Sequence, residues 1–225
     1  MSESGQQPAL TAKEAWQSPE KAAAYRSSRE PSHFHRFQRE ERIINDWLEG
    51  LPQNALVLDI PCGTGRMIPT LLSHQFRYIG GDFSLAMIGE ARRTAADAPA
   101  VKGFVNADAE HLPFANDSVD CVILWRFLHH VGETAVRQAI LHEAARVARD
   151  RVLVSFHHPI SFTHWRKLFQ RKFLGYQKGV NAVSHRQLER EASSGGLRLL
   201  ETRGFRKYVS VNWFARFEKR DAPPT

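Results

Sequence analysis

The sequence predicts an α/β fold, a mostly parallel sheet with helices on both faces. Three observations predict it. Apolar runs of strand length recur at 55–60, 77–82, 101–108, 118–125 and 151–156. Helical stretches at 65–74, 84–95 and 133–149 fall between them, and strands that alternate with helices pair in parallel. The first run ends in a glycine turn that opens a helix, as the first strand of a ligand-binding α/β sheet does. The 225 residues suit one core.

Taken in order, residues 1–10 carry no pattern and 11–50 read as helical. Ile44, Trp47, Leu48 and Leu51 repeat at helical spacing, so the second helix has one buried face, and Gly50 and Pro52 stop it. ALVLDI (55–60) is the first strand, ended by Pro61 and Gly63. RYIGGD (77–82), VKGFVNAD (101–108), SVDCVILW (118–125) and RVLVSF (151–156) follow. Val136, Ile140, Ala144 and Val147 give the 133–149 helix one apolar stripe. The end of the chain changes character. SHRQLEREAS (184–193) reads as a helix and LRLLET (197–202) as a strand. KYVSVNWFARFE (207–218) alternates Val209, Val211, Trp213, Ala215 and Phe217 with more polar positions, the pattern of a closing antiparallel strand. The expected organisation is an N-terminal helical cap over 1–52 and one α/β domain over 53–225, with a segment inserted at 159–183.

Composition narrows the class. No apolar run reaches the ~18 residues of a membrane span, and MSESGQQPAL lacks the basic start and apolar stretch of a secretory signal. Cys62 and Cys121 are the only cysteines, too few for a disulfide framework, which predicts a cytoplasmic protein. The net charge is +7. Much of the excess is local, because residues 161–190 hold seven Lys or Arg against Glu189 alone. A local basic cluster suits an acidic ligand, an anionic membrane surface or nucleic acid; a solvated face is the bland alternative.

The chemistry sits at strand ends, where open α/β sheets bind ligands. In VLDIPCGTGR (57–66) the glycines let a ligand approach the backbone, and the following helix offers free N–H groups. The third glycine of a dinucleotide fingerprint is replaced by Ile68, and Asp59 would repel a pyrophosphate. An acid there suits a ligand with a positive amine, which favours S-adenosylmethionine. Asp82 ends the second strand, where a carboxylate can accept both ribose hydroxyls. Phe83 and Met87 are placed to pack on adenine, and Asp108, at the end of the third strand, to reach its exocyclic amine. Trp125 and Arg126 stand at the end of the fourth strand. The pair His129–His130 has no third or fourth ligand for a metal, so no metal is expected. Either histidine could instead serve as a base, and His157 and His158 could meet substrate.

The succession D-I-P-C-G-T-G-R, G-D-F-S-x-x-M-I, A-D-A-E-x-L-P-F and L-H-H resembles class I methyltransferases, most closely the group called methyltransferase type 11. The resemblance covers about residues 40–157. It implies a Rossmann-like class I methyltransferase fold, a seven-stranded sheet in the order 3-2-1-4-5-7-6 with strand seven antiparallel. It also implies an S-adenosyl-L-methionine-dependent enzyme that leaves S-adenosyl-L-homocysteine. Carried over, Asp59, Cys62, Gly63, Thr64 and Gly65 hold the methionine part; Asp82, Phe83, Ser84 and Met87 the ribose; Asp108, Ala109 and Glu110 frame the adenine; Trp125 lines the cleft. Tyr25, Arg126, His129 and Trp165 are expected on the substrate side. In relatives the segment before the sheet, here with Tyr25, Arg26 and His33, caps the cleft.

The type 11 group methylates quinone precursors, lipids, sugars and some nucleic acids. The expected acceptor here is a small or lipid-linked molecule, with tRNA second and a catalytically silent partner subunit third. On a helix over 159–180, Phe162, Trp165, Leu168, Phe169 and Phe173 would share a face flanked by Arg166, Lys167, Arg171 and Lys172. That pattern suits an amphiphilic acceptor, an anionic membrane surface at the inner face of a membrane, or burial on the core.

Overall fold

In a computed structural model, the described residues are 18–27, 31–160, 181–204 and 211–220, with side chains described for all of these except 25–27 and 31–37. Seven strands form one sheet: β1 (Leu56–Asp59), β2 (Arg77–Asp82), β3 (Val101–Asn106), β4 (Val119–Leu124), β5 (Ala148–His157), β6 (Leu197–Gly204) and β7 (Asn212–Lys219). Their order is β3-β2-β1-β4-β5-β7-β6. The pairs among β1 to β5 are parallel, and β7 runs antiparallel to both β5 and β6. The helices are α1 (Pro19–Ser27), α2 (Pro31–Leu48), α3 (Ile68–Ser73), α4 (Leu85–Ala95), α5 (Thr134–Val147) and α6 (His185–Ser193).

The central strands read as continuous apolar runs because both faces are covered. Side chains alternate between the faces with period two. Leu58, Val122 and Leu124 join α5 and α6 in one cluster with Ile140, Leu141, Leu188 and Ala192. Val57, Cys121 and Ile123 join the other with Ile44, Trp47, Ile68, Leu71 and Ala91.

Polar ties seat α2 on the sheet. Trp47 Nε1 donates to Glu201 at 2.8 Å, joining α2 to β6. The buried Arg151 of β5 donates to the carbonyls of Trp47 at 2.8 Å and Glu49 at 3.0 Å, two of the acceptors a helix end leaves unmatched. The expected third strand ends two residues early, at Asn106. Its side-chain amide donates to the carbonyls of Asp82 (3.0 Å) and Phe83 (2.8 Å), which turns the chain away from the ladder. Asp108, expected at the strand end, lies beyond it and bridges to His111. The helix expected from 65 begins at Ile68, because 65–67 complete the glycine turn. Residues 161–180, with the aromatic stripe, lie outside the described residues. No described helix is long and apolar enough to cross a membrane.

Candidate active site

A cavity of about 410 Å³ opens at the carboxyl ends of β1 to β4, the position that parallel topology favours for ligands. The glycine turn forms its floor. Cys62 N–H donates to the Gly81 carbonyl at 2.7 Å, and Gly65 N–H to the Cys62 carbonyl at 3.0 Å. Gly63 adopts φ +54° and Gly65 φ +76°, a region that favours glycine. The two glycines do different work. A Cβ at Gly63 would meet no atom within 4 Å, so its backbone is open to a ligand. A Cβ at Gly65 would lie 2.6 Å from Ile68 Cδ1 and 3.1 Å from the Ala91 backbone. Gly65 therefore does not line the cavity; it lets the turn pack on α4.

Two acids flank the turn. Asp82 is nearly buried, and both its oxygens accept backbone bonds, from Gly63 N–H at 2.9 Å and Ser84 N–H at 2.8 Å. It thus stitches the first strand–helix turn to the second, a role the sequence does not show. Each oxygen keeps a lone pair for a further donor, so the ribose role remains open to it. Burial pushes its pKa up while the backbone bonds pull it down. Ser84 caps α4, its hydroxyl accepting from Met87 N–H at 3.2 Å.

Asp59 is 1 % exposed, and its carboxyl accepts the Tyr78 hydroxyl at 3.2 Å. Burial pushes its pKa up to about 8, partly offset by the Tyr78 bond and reinforced by nearby Asp82. The ionised carboxylate expected there is instead a protonated acid at neutral pH, until a cation arrives to hold it charged. Burial also pushes the Cys62 thiol up, which fits a small turn residue and not a nucleophile.

The structure brings Asp59, Cys62, Gly63, Thr64, Asp82, Phe83, Ser84, Met87, Asp108, Ala109, Glu110, Trp125 and Arg126 to this one cavity. His130 lines it as well. His129 does not; its ring stacks on His157 at 4.1 Å and leans on His130. Burial and the Arg126 charge both lower the His130 pKa, so the imidazole is neutral at pH 7. Trp165 and the side chain of Tyr25 lie outside what is described.

The run from Arg126 to Glu133 supplies a wall that sequence reading missed apart from Arg126 and His130. Phe127, Val131 and Gly132, with Val136 and Ile140 of α5, form its apolar part, and Arg126, His130 and Glu133 its polar part. Arg126 holds φ +56°, uncommon for a side-chain-bearing residue. Its N–H donates to Ser155 Oγ, and its guanidinium lies 3.5 Å from Glu40 of α2. Glu40 is buried and also accepts Trp125 Nε1 at 3.3 Å. Nothing in the local sequence marks Glu40, whose partners lie 85 residues on. No group of three or more metal-ligating side chains is found among the described residues.

The open backbone at Gly63, beside the buried Asp59 that has no cationic partner among the described residues, fits a donor with an amino-acid end. Residues 57–151 match the family model described as "Methyltransferase domain". The chain is 32 % identical over 126 residues to the 2-phytyl-1,4-naphtoquinone methyltransferase of Thermosynechococcus vestitus, covering 53 % of each chain. It is 32 % identical over 137 residues to the demethylmenaquinone methyltransferase of Paenarthrobacter aurescens, covering 59 % of this chain and 50 % of that one. The chain spans only about a third to a half of the length of the first curated relatives it matches. Among solved structures, the magnesium protoporphyrin IX methyltransferase of Synechocystis PCC 6803 with bound SAM superposes with a TM-score of 0.69 at 17 % identity, over 95 % of this chain and 100 % of that one. The domain match, the strand order and the motif-bearing strand ends agree: residues 57–151 match a methyltransferase domain, and the chain has the fold of the solved S-adenosylmethionine-binding methyltransferase it superposes on.

Proposed function

We propose that this chain transfers a methyl group from S-adenosylmethionine to a small or lipid-linked acceptor, an apolar molecule that presents one ionisable oxygen or an adjoining carbon. The observation that carries this reading is the composition of the Arg126–Glu133 wall. Phe127 and Val131, with Val136 and Ile140 beside them, give it an apolar face, and it sets the Arg126 guanidinium, the His130 imidazole and the Glu133 carboxylate on the same cavity. Apolar walls with few polar groups suit a hydrophobic ligand held in one orientation. Arg126 would draw an acceptor oxygen toward its ionised form, and His130, neutral, would take a proton where one must leave.

The bound donor supplies a methyl carbon already activated by the adjacent sulfonium charge. When bound, it would give that carbon to the acceptor's electron pair, the carbon–sulfur bond breaking and sulfur keeping its pair, and this chain's residues would hold and orient the two. Asp59 and the Gly63 backbone would hold the amino-acid end, and Asp82 the ribose. The apolar wall would exclude water. Orientation of this kind is worth up to ~7–11 kcal/mol of the barrier. The quinone substrates named for the two curated relatives are of the same chemical class.

The test is transfer of labelled methyl from S-adenosylmethionine to demethylated naphthoquinols, a porphyrin carboxylate and bulk tRNA, at matched salt. Label in the quinol or porphyrin, reduced at least tenfold by Arg126→Ala, supports the reading. Label in tRNA alone would overturn it in favour of a nucleic-acid acceptor, to which the net charge of +7 also lends itself.

A further inference from the structure

The cavity wall from Arg126 to Glu133 is fastened at both ends by an arginine that reaches a glutamate on another helix. At its start Arg126 meets Glu40 of α2. At its end stands Arg137 of α5, 3 % exposed and outside the cavity lining. Arg137 Nε donates to Glu191 Oε2 at 2.9 Å, and one terminal nitrogen to Glu191 Oε1 at 2.6 Å and to Thr134 Oγ1 at 2.9 Å. The other donates to the carbonyls of Val131 at 3.1 Å and Gly132 at 2.8 Å. Glu191, equally buried, also accepts Gln187 Nε2 at 3.0 Å.

A buried ion pair seldom stabilises a fold more than well-packed apolar residues would. This pair spends two of its bonds on the carbonyls of residues that line the cavity. The planar fork is what the geometry needs, because its three nitrogens make five bonds and a lysine has only three donors, all on one nitrogen. Glu191 lies on the first described helix after 161–180. Residue 181 also touches the wall, since a Cβ on Gly132 would come 3.4 Å from Asn181 Oδ1. The end of the wall is thus set from α6 and the chain leading into it.

We propose that Arg137, held by Glu191, is a positioning residue that fixes the Val131–Gly132 edge of the one cavity that Asp59, Gly63 and Asp82 also line, where donor and acceptor must both fit, and thereby sets the affinity for the S-adenosyl ligand. This rests on the donor reading of the site. The decisive variant is the double substitution Arg137→Met with Glu191→Leu. It replaces the pair by apolar groups of similar size, so it should melt within a few degrees of wild type. It leaves the two carbonyls without their donor. Calorimetry with S-adenosylhomocysteine should show about tenfold weaker binding, with Arg137→Lys at least fivefold weaker, and hydrogen exchange at 131–133 should quicken. A folded double variant that binds as wild type does overturns the proposal. Should that variant not fold, Glu191→Gln carries the same test, with weaker binding expected and unchanged binding refuting. Wild type that fails to bind S-adenosylhomocysteine overturns the donor reading and this proposal with it.

Discussion

Asp59 offers the sharpest test of how the donor is held, because its proton must move. With a pKa of about 8, the buried acid is mostly protonated at pH 7. A ligand ammonium is held well only by the carboxylate, so binding must expel that proton. Each pH unit below 8 then weakens binding about tenfold, or about 1.4 kcal/mol. Between pH 5.5 and 7.5, log Kd for S-adenosylhomocysteine should fall with a slope near one per unit. Calorimetry at pH 7 in buffers of different ionisation enthalpy should count about 0.9 proton released per ligand, the fraction a group of pKa ~8 still holds there. Asp59→Asn should bind weakly and flatten the slope. The same acid makes a second, opposite prediction for stability. Its folded pKa lies above the ordinary aspartate value of 3.8, so the folded protein keeps a proton the unfolded chain gives up. Stability from this group is therefore lost as pH rises from about 4 to about 8 and is constant beyond. Asp59→Asn, which cannot ionise, should gain over wild type by as much as about 4 kcal/mol at pH 7 and by almost nothing at pH 4. A pH-independent Kd, together with no growth of the melting difference between pH 4 and 8, would refute the account.

Tyr78→Phe removes the hydroxyl that holds Asp59's pKa down, so the whole Kd profile should move to higher pH, read by the same calorimetric series. Asp82→Asn sets an amide N–H₂ against a backbone N–H of Gly63 or Ser84. It should lower stability by about 1–3 kcal/mol and weaken S-adenosylhomocysteine more than tenfold, seen by melting and calorimetry. Gly65→Ala drives a methyl into Ile68 at φ +76° and should cost about 1–3 kcal/mol in urea unfolding.

Much of this site was legible in the sequence because strand-end position is a local property. A strand of apolar residues ending in an acid and a glycine turn places that acid whatever lies elsewhere, and Asp59, Asp82 and Trp125 were found that way. The strand order was implied by resemblance, since periodicity says nothing of which strands adjoin. What stayed hidden depends on approach between distant segments. Glu40 looks like any helix acid until the fold sets it under Trp125 and Arg126. Gly65 looks like a ligand contact until Ile68 and Ala91 close over it. Asp82 ties two turns together, which needs the register that puts Asp59 opposite Gly80. Arg137 sits in a helix with an apolar stripe, and only the packing of α6 gives it Glu191.

The bonds between α2 and the far strands also bear on how the chain is made. Trp47 finds its hydrogen-bond partner 154 residues later, in β6, and its apolar cluster is completed by Phe214 of β7. The helix emerges from a ribosome well before these partners, because about 150 residues separate them along the chain. Long-range closure of this kind slows folding and leaves apolar surface bare in the interval. A nascent chain ended at residue 196 should therefore expose the Ile44–Trp47–Leu48 stripe. Limited proteolysis should cut it between residues 38 and 50, where the full chain resists. Equal resistance of the two chains would show that the helix is seated before β6 and β7 exist.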